Sequence, residues 1–109
     1  MMRVVAANKV LLTKGETLSL HGVVLDSEHR VVGFSPLVDA TVERPFVEFF
    51  CGLITPAIPS YNPSQTSLRP LNEYPFEPLA VGYQGELWLW TDLNLQTLIP
   101  TTQTSYRVL

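Results

Sequence analysis

The sequence is poor in charged residues and has a single cysteine, and each shortage excludes a class of protein. Charged residues make up 16% of the chain, against about 25% in a typical soluble domain, so we expect some apolar surface to remain for a partner. The seven basic residues are scattered and the net charge is −3, which excludes the basic patch that neutralises nucleic-acid phosphates. Cys51 has no second cysteine to pair with, and its apolar neighbours favour a buried thiol.

The sequence also lacks a long apolar run. No stretch reaches the length of a membrane span, and the stretch from Met1 to Ala7 is too short for the core of a signal peptide. Together with the cysteine count, this predicts a cytoplasmic location and no membrane partner. A length of 109 residues, 46% of them hydrophobic, predicts one domain with a single core.

Apolar and alternating runs predict strands at both ends of the chain, and no amphipathic pattern is long enough for a helix. Strands are predicted over 3–13, 17–26, 30–34, 46–54, 85–92 and 106–109. Short polar turns join the first three, which predicts an antiparallel meander. The fourth is a continuous aromatic and apolar run, which is typical of a strand buried on both faces. The fifth places Leu87 and Leu89 on one face and Trp88 and Trp90 on the other, which predicts a strand between two layers.

Six of the nine prolines lie between Pro56 and Leu79. Because proline lacks an amide hydrogen and restricts its own backbone and that of its neighbour, a regular helix or central strand is disfavoured there. We therefore predict an extended Pro-rich loop over about 59–79. Its large apolar side chains predict partial packing against the rest of the domain; they are Tyr61, Leu68, Leu71, Tyr74 and Phe76.

The stretch from Gly52 to Ser64 resembles the segment that leads into the metal site of amidohydrolases, a superfamily of metal-dependent hydrolases. It reads GLITPAIPSYNPS, beside a family pattern of roughly G-x-x-x-P-G-[FIL]-[IV]-[ND]-x-H-x-H. The two metal-binding histidines of that pattern fall on Asn62 and Ser64, and neither side chain offers an imidazole nitrogen. Ala57 stands at a family glycine. The resemblance therefore implies a protein that has lost the metal site, binds no cofactor and is not an enzyme.

The same resemblance extends to both ends of the chain. Val4–Leu11, Gly22–Asp26 and Arg30–Val32 look like opening strands of the cytosine deaminase and chlorohydrolase branch, and Val81–Trp90 and Leu98–Leu109 look like its closing phrases. In that family these strands build a β-sandwich beside a (β/α)₈ barrel of about 250 residues. Here only the Pro-rich loop lies between them. The resemblance thus implies the composite β-sandwich domain of metal-dependent hydrolases, without its catalytic barrel.

The titratable residues do not form a recognisable site. His21 and His29 are the only histidines, and no cysteine or carboxylate falls at ligand spacing with both, whereas a zinc site needs about four ligands. Metal binding by one chain is therefore not expected, although a site shared across a dimer stays open. Asp39, Glu43 and Glu48 come nearest to a carboxylate cluster, for which a solvated connection is the favoured explanation.

We predict an all-β fold with one domain over 1–109, a β-sandwich of six to eight strands in 1–58 and 80–109. The face that a barrel would cover must be covered by the Pro-rich loop, by a second copy or by another protein. The predicted interaction surface consists of Phe46, Phe49, Phe50, Tyr61, Tyr74, Phe76, Trp88 and Trp90.

The predicted function is that of a non-catalytic structural or protein-interaction module, which forms a homodimer or binds a protein partner through this surface. An alternative is a small-ligand-binding domain with a pocket between the Pro-rich loop and the sheet. A further alternative is an accessory subunit of a separately encoded hydrolase barrel. Family resemblance alone does not decide among these, because function resides in sites rather than in folds.

Overall fold

The computed structural model describes residues 3–36, 47–62, 64 and 69–109, and these ranges contain six strands. The strands are β1 (Arg3–Thr13), β2 (Glu16–Leu25), β3 (Val31–Pro36), β4 (Val47–Pro56), β5 (Leu87–Thr91) and β6 (Ser105–Val108). They form one sheet in the order β3-β2-β1-β4-β5-β6. Every neighbouring pair is antiparallel except β1 and β4, which run parallel.

The predicted all-β class is confirmed for the described residues. The predicted strands agree with β1 to β6 to within two residues at each end, and β1, β2 and β3 form the predicted antiparallel meander. All six strands lie in one mixed sheet, so the sandwich arrangement stays a prediction. The helical element of the described ranges is a 3₁₀ turn at Leu71–Glu73, and none of their helices is long and apolar enough to cross a bilayer.

The parallel pair of β1 and β4 contains a bulge in β4. Between the last regular pairs on either side, β4 gains one residue relative to β1 at the position of Gly52. The Asn8 side chain compensates the interrupted ladder, because its Oδ1 accepts a hydrogen bond of 2.9 Å from the Gly52 amide. Gly52 has a φ of 140°, and a Cβ there would overlap the carbonyl oxygen of Trp90. Only glycine fits this position.

The side-chain alternation of β1 reverses at the same point. Val5 and Ala7 before Asn8 belong to the same core cluster as Val10 and Leu12 after it, although strict alternation would place the second pair on the opposite face. The alternation of β2 also shifts by one position, because Leu18 contacts the same cluster as Val23 and Leu25. The shift occurs near Leu20, which has a φ of 53°. The same side of the sheet therefore stays buried along β1 and β2, while the alternation of inward and outward residues shifts by one position.

The prediction that the fourth strand is buried on both faces holds only for its second half. Leu53–Pro56 is buried, whereas Glu48, Phe49 and Cys51 are exposed. The reason is that β5 pairs only with Leu53–Pro56 and does not extend along the first half of β4. The prediction of a buried Cys51 is therefore wrong.

Two clusters of buried side chains lie on the two sides of β5. Leu87 and Leu89 belong to the first cluster, and Trp88 and Trp90 belong to the second. All four side chains are buried, which confirms the predicted position of this strand between two layers.

The connection from β4 to β5 supplies the cover on both sides. On the tryptophan side, Ile58, Leu71 and Tyr74 complete the second cluster. On the leucine side, Leu79 and Tyr83 join the first. Of the other loop residues expected to pack, Tyr61 and Phe76 are half-buried, and Leu68 lies outside the described residues.

Backbone hydrogen bonds fasten the end of this connection to two strands. The Leu79 amide donates to the carbonyl oxygen of Leu12 at the end of β1, at 2.9 Å. Val31, at the start of β3, accepts from the Gly82 amide and donates to the Tyr83 carbonyl oxygen, both at 2.8 Å. The connection thus satisfies these backbone groups without joining the sheet as a regular strand.

We expect Gly52→Ala to destabilise the protein by about 2–4 kcal/mol, because the new methyl group meets the Trp90 backbone and φ lies in a region unfavourable to alanine. Urea unfolding followed by tryptophan fluorescence measures the change. Gly33→Ala is the matched control, since a Cβ at Gly33 has no neighbour within 4 Å, and we expect it to be neutral or slightly stabilising. Equal stability of the two variants would contradict the role assigned to the bulge.

Candidate functional site

Most of the predicted interaction residues meet in one aromatic cluster, together with Tyr106. The Tyr61 ring lies 4.8 Å from the Trp90 ring in an edge-to-face contact, and 5.9 Å from the Tyr74 ring in another. Trp88 stacks on Tyr106 with 4.2 Å between ring centroids. Such offset and edge-to-face arrangements are the favourable geometries for aromatic pairs.

This cluster is mainly core rather than surface. Trp88, Trp90 and Tyr74 are buried, and Phe76 packs against them as a half-buried neighbour. Both indole nitrogens have acceptors, since Trp90 Nε1 donates to Thr55 Oγ1 at 2.8 Å and Trp88 Nε1 donates to a Glu86 carboxylate oxygen at 3.2 Å.

The remaining members of the predicted surface lie elsewhere. Phe49 is 48% exposed on the first half of β4. Phe50 packs at the edge of the leucine-side cluster, with the Arg107 guanidinium 5.1 Å from its ring centroid. Phe46 lies outside the described residues. The eight predicted residues therefore do not form one continuous exposed face.

Tyr83 joins the end of β4 to the residues leading into β5. Its hydroxyl donates a 2.7 Å hydrogen bond to the Glu86 carbonyl oxygen and accepts one of 3.1 Å from the Ala57 amide. Gly85 leaves room for this hydroxyl, because a Cβ there would collide with it. Burial raises the pKa of Tyr83, the Ala57 amide opposes that shift, and the Glu77 and Glu86 carboxylates add to it.

An open cleft of about 590 Å³ lies at this junction, within the size range of small-ligand sites. We call it the loop cleft. Pro59, Pro75 and Phe76 contribute apolar walls, and the side chains of Glu77 and Glu86 line it as well. Both glutamates are exposed, and none of the ion pairs between described residues involves either of them. The cleft therefore combines apolar walls with uncompensated negative charge.

The positions that resemble the amidohydrolase metal ligands form a local turn. The Ser64 amide donates to the Asn62 side-chain oxygen at 2.9 Å, which is a typical Asx turn, and both residues are exposed. Within the described part of the chain, no group of three or more His, Cys, Asp or Glu residues is arranged to hold a metal ion.

His21, His29 and Glu48 do not line the loop cleft. His21 Nδ1 lies 2.9 Å from the Ser19 carbonyl oxygen, and His29 occupies the turn after β2. Glu48 pairs with Arg3 at 2.8 Å, and this hydrogen-bonded guanidinium lowers the pKa of the Glu48 carboxyl. Asp39 and Glu43 lie outside the described residues.

Sequence reasoning missed the residues that shape the loop cleft. The sequence places Tyr83, Gly85 and Glu86 in a family-like closing phrase, and Gly85 and Glu86 also at the start of the predicted fifth strand, but it marks neither these residues nor Glu77 as part of a site. The one local signal is the spacing of Tyr83 and Gly85, which lets a tyrosine ring lie over a residue without a side chain. The contact with Ala57 is long-range and has no signature in the sequence.

No protein-family model, no curated protein and no solved structure matches this chain. The resemblance to the composite domain of amidohydrolases therefore stays a prediction that rests on the quoted residues. The function must be argued from the geometry of the site itself.

We expect Tyr83→Phe to destabilise the fold by about 1–2 kcal/mol, because it removes both hydrogen bonds at the junction and leaves the Ala57 amide without an acceptor. Chemical denaturation measures the difference. Tyr61→Phe is the control, since the structure shows no hydrogen bond from the Tyr61 hydroxyl to a described residue, and its effect should stay within about 0.5 kcal/mol. Similar losses for both variants would argue against a specific role of the Tyr83 hydroxyl.

Tyr83 should also make stability fall at alkaline pH. Burial raises the folded-state pKa of Tyr83 above its ordinary value, so its contribution is complete below the unfolded-state pKa and is lost as pH rises through the folded-state pKa. Unfolding free energies measured from pH 9 to pH 11 should therefore fall less steeply in Tyr83→Phe than in the unmodified protein. If the unfolding free energies of the two proteins fell in parallel with pH, the pKa of Tyr83 would be the same in the folded and unfolded states, and the prediction would be wrong.

Proposed function

We propose that the protein is a non-catalytic binding module whose ligand occupies the loop cleft. The observation that supports this best is the cleft itself, which is open to solvent and has a ligand-sized volume of about 590 Å³ between the Pro-rich loop and the start of β5. Tyr83 holds its base in a fixed position through hydrogen bonds to both sides. A pre-formed cavity of this kind lowers the ordering cost of binding.

Residues of the chain itself already cover the side of β5 that carries Trp88 and Trp90, which we call the tryptophan face. This favours ligand binding in the loop cleft over binding of a partner through that face. Ile58, Leu71 and Tyr74 pack on Trp88 and Trp90, so these side chains need no external partner. The feature that supports a structural or protein-interaction role is a different part of the surface, the edge of the sheet at β6.

The walls of the loop cleft suggest a small organic cation as the ligand class. Phe76, Pro59 and Pro75 offer apolar contact, which contributes about 25 cal/mol per Å² of apolar surface buried. A cation near the Phe76 ring gains a further attraction from the ring face. Glu77 and Glu86 favour positive over neutral ligands, although each exposed carboxylate contributes at most about 1 kcal/mol. Apolar contact thus supplies affinity, and the carboxylates supply selectivity.

The non-catalytic part of the proposal rests on Asn62 and Ser64. They stand where the amidohydrolase pattern has metal-binding histidines, and neither is an imidazole ligand. Their hydrogen bond to each other forms a local turn, which gives these positions a structural role.

The ligand class can be tested with two matched probes, phenethylamine, which is charged at neutral pH, and phenethyl alcohol, which is not. We expect the amine to raise the melting temperature in a dose-dependent way and to bind more tightly than the alcohol. Titration by NMR, read at the Phe76 and Glu77 amides, locates the site.

Variants separate the contribution of apolar contact to affinity from the contribution of the carboxylates to selectivity. Phe76→Ala should abolish binding of both probes, whereas Glu77→Gln and Glu86→Gln should each weaken only the amine, by about two- to fivefold. Glu73→Gln is the control, because Glu73 is an exposed glutamate that does not line the loop cleft. Binding of neither probe at millimolar concentration, or binding that Phe76→Ala leaves intact, would refute a ligand site in this cleft.

A further inference from the structure

The outer edge of β6 has backbone groups that no described residue pairs with. The Leu109 amide donates to the Leu87 carbonyl oxygen of β5 at 2.8 Å. Backbone groups of an antiparallel strand point alternately to its two sides, so Arg107 also directs its amide and carbonyl toward β5. Those of Tyr106 and Val108 point away from the sheet. In the described part of the chain, no strand lies on that side of β6.

The same two residues form an exposed apolar strip beside this edge. Tyr106 is 41% exposed and stacks on Trp88, and Val108 is 50% exposed and lies opposite Trp88. Natural edge strands are usually protected by lysine, proline or a bulge, and β6 has none of these. Its one charge, on Arg107, lies over the Phe50 ring.

We propose that β6 pairs antiparallel with β6 of a second copy of this chain, about a twofold axis at Tyr106. In this register the two Tyr106 residues face each other and exchange backbone hydrogen bonds. Ser105 of each copy then lies opposite Arg107 of the second copy, so no like charges meet. A register centred on Arg107 would place the two arginines directly opposite each other, which is destabilising. The surface is therefore self-complementary in the way that a symmetric dimer requires.

A four-residue strand buries little surface, and small interfaces are typical of weak, reversible association. The dimer should therefore form in a concentration-dependent way and join two sheets into one that is continuous across both copies. This pairing uses none of the residues that line the loop cleft. The dimer and the ligand site are therefore independent proposals, and either can be wrong without the other.

The mass in solution tests the proposal, measured by light scattering and sedimentation across a dilution series. We expect it to rise from the 12.2 kDa of one chain toward twice that value as concentration increases. A mass that stays at one chain up to about millimolar concentration, where even weak interfaces associate, would overturn the proposal.

Two substitutions at one position test the register. Ser105→Lys places a positive charge opposite Arg107 of the second copy and should weaken the dimer by about two- to tenfold, whereas Ser105→Asp should strengthen it by a similar factor. Both remove the Ser105 hydroxyl that contacts the Thr91 hydroxyl, and urea unfolding of each variant shows whether its fold is intact. Val108→Lys, which adds a protective charge at the edge, should also weaken association. A dimer unaffected by all three changes would show that the copies meet at another surface.

Discussion

The hydrogen bond between the Asn8 side chain and the Gly52 amide is the contact on which the arrangement of the sheet depends. It stabilises the point where β4 gains a residue relative to β1, and the missing Cβ of Gly52 lets the Trp90 backbone come close. As a result β5 can pair with the second half of β4 while the first half pairs only with β1. The position of β5 in turn fixes the tryptophan face, the course of the connection that covers it and the location of the loop cleft. One local irregularity thus decides where the aromatic cluster and the loop cleft lie.

The described part of the connection between β4 and β5 covers the Trp88 and Trp90 side of β5 with little regular structure. Apolar side chains provide this cover. Pro59, Pro75 and Pro78 are exposed, and they add no amide donor that would need a partner. Two amides of the connection have individual partners: Ala57 donates to the Tyr83 hydroxyl, and Leu79 donates to the Leu12 carbonyl oxygen. Because proline rings are rigid, the walls of the loop cleft lose little conformational freedom when a ligand binds.

Much of the fold could be predicted from the sequence, because alternation and apolar runs are local signals. The strands, the meander and the two-sided burial around Trp88 and Trp90 all follow from them. The bulge could not be predicted, since Asn8 and Gly52 are 44 residues apart and neither is unusual in its own surroundings. The exposure of Cys51 was missed for the same reason: it depends on where β5 ends, which no residue near Cys51 encodes. The loop cleft is a product of such long-range contacts, so only the aromatic Phe76 was singled out in advance.

The hydrogen bond from the Trp88 indole to Glu86 has a practical consequence. Glu86 lines the loop cleft, whereas the indole that it accepts from belongs to the aromatic cluster beneath the connection. Any event that displaces this carboxylate changes the polarity around one of only two tryptophans in the chain. The other, Trp90, is completely buried and bonded to Thr55, and so provides a constant reference. The intrinsic fluorescence spectrum is therefore an unlabelled optical signal of what occupies this part of the surface.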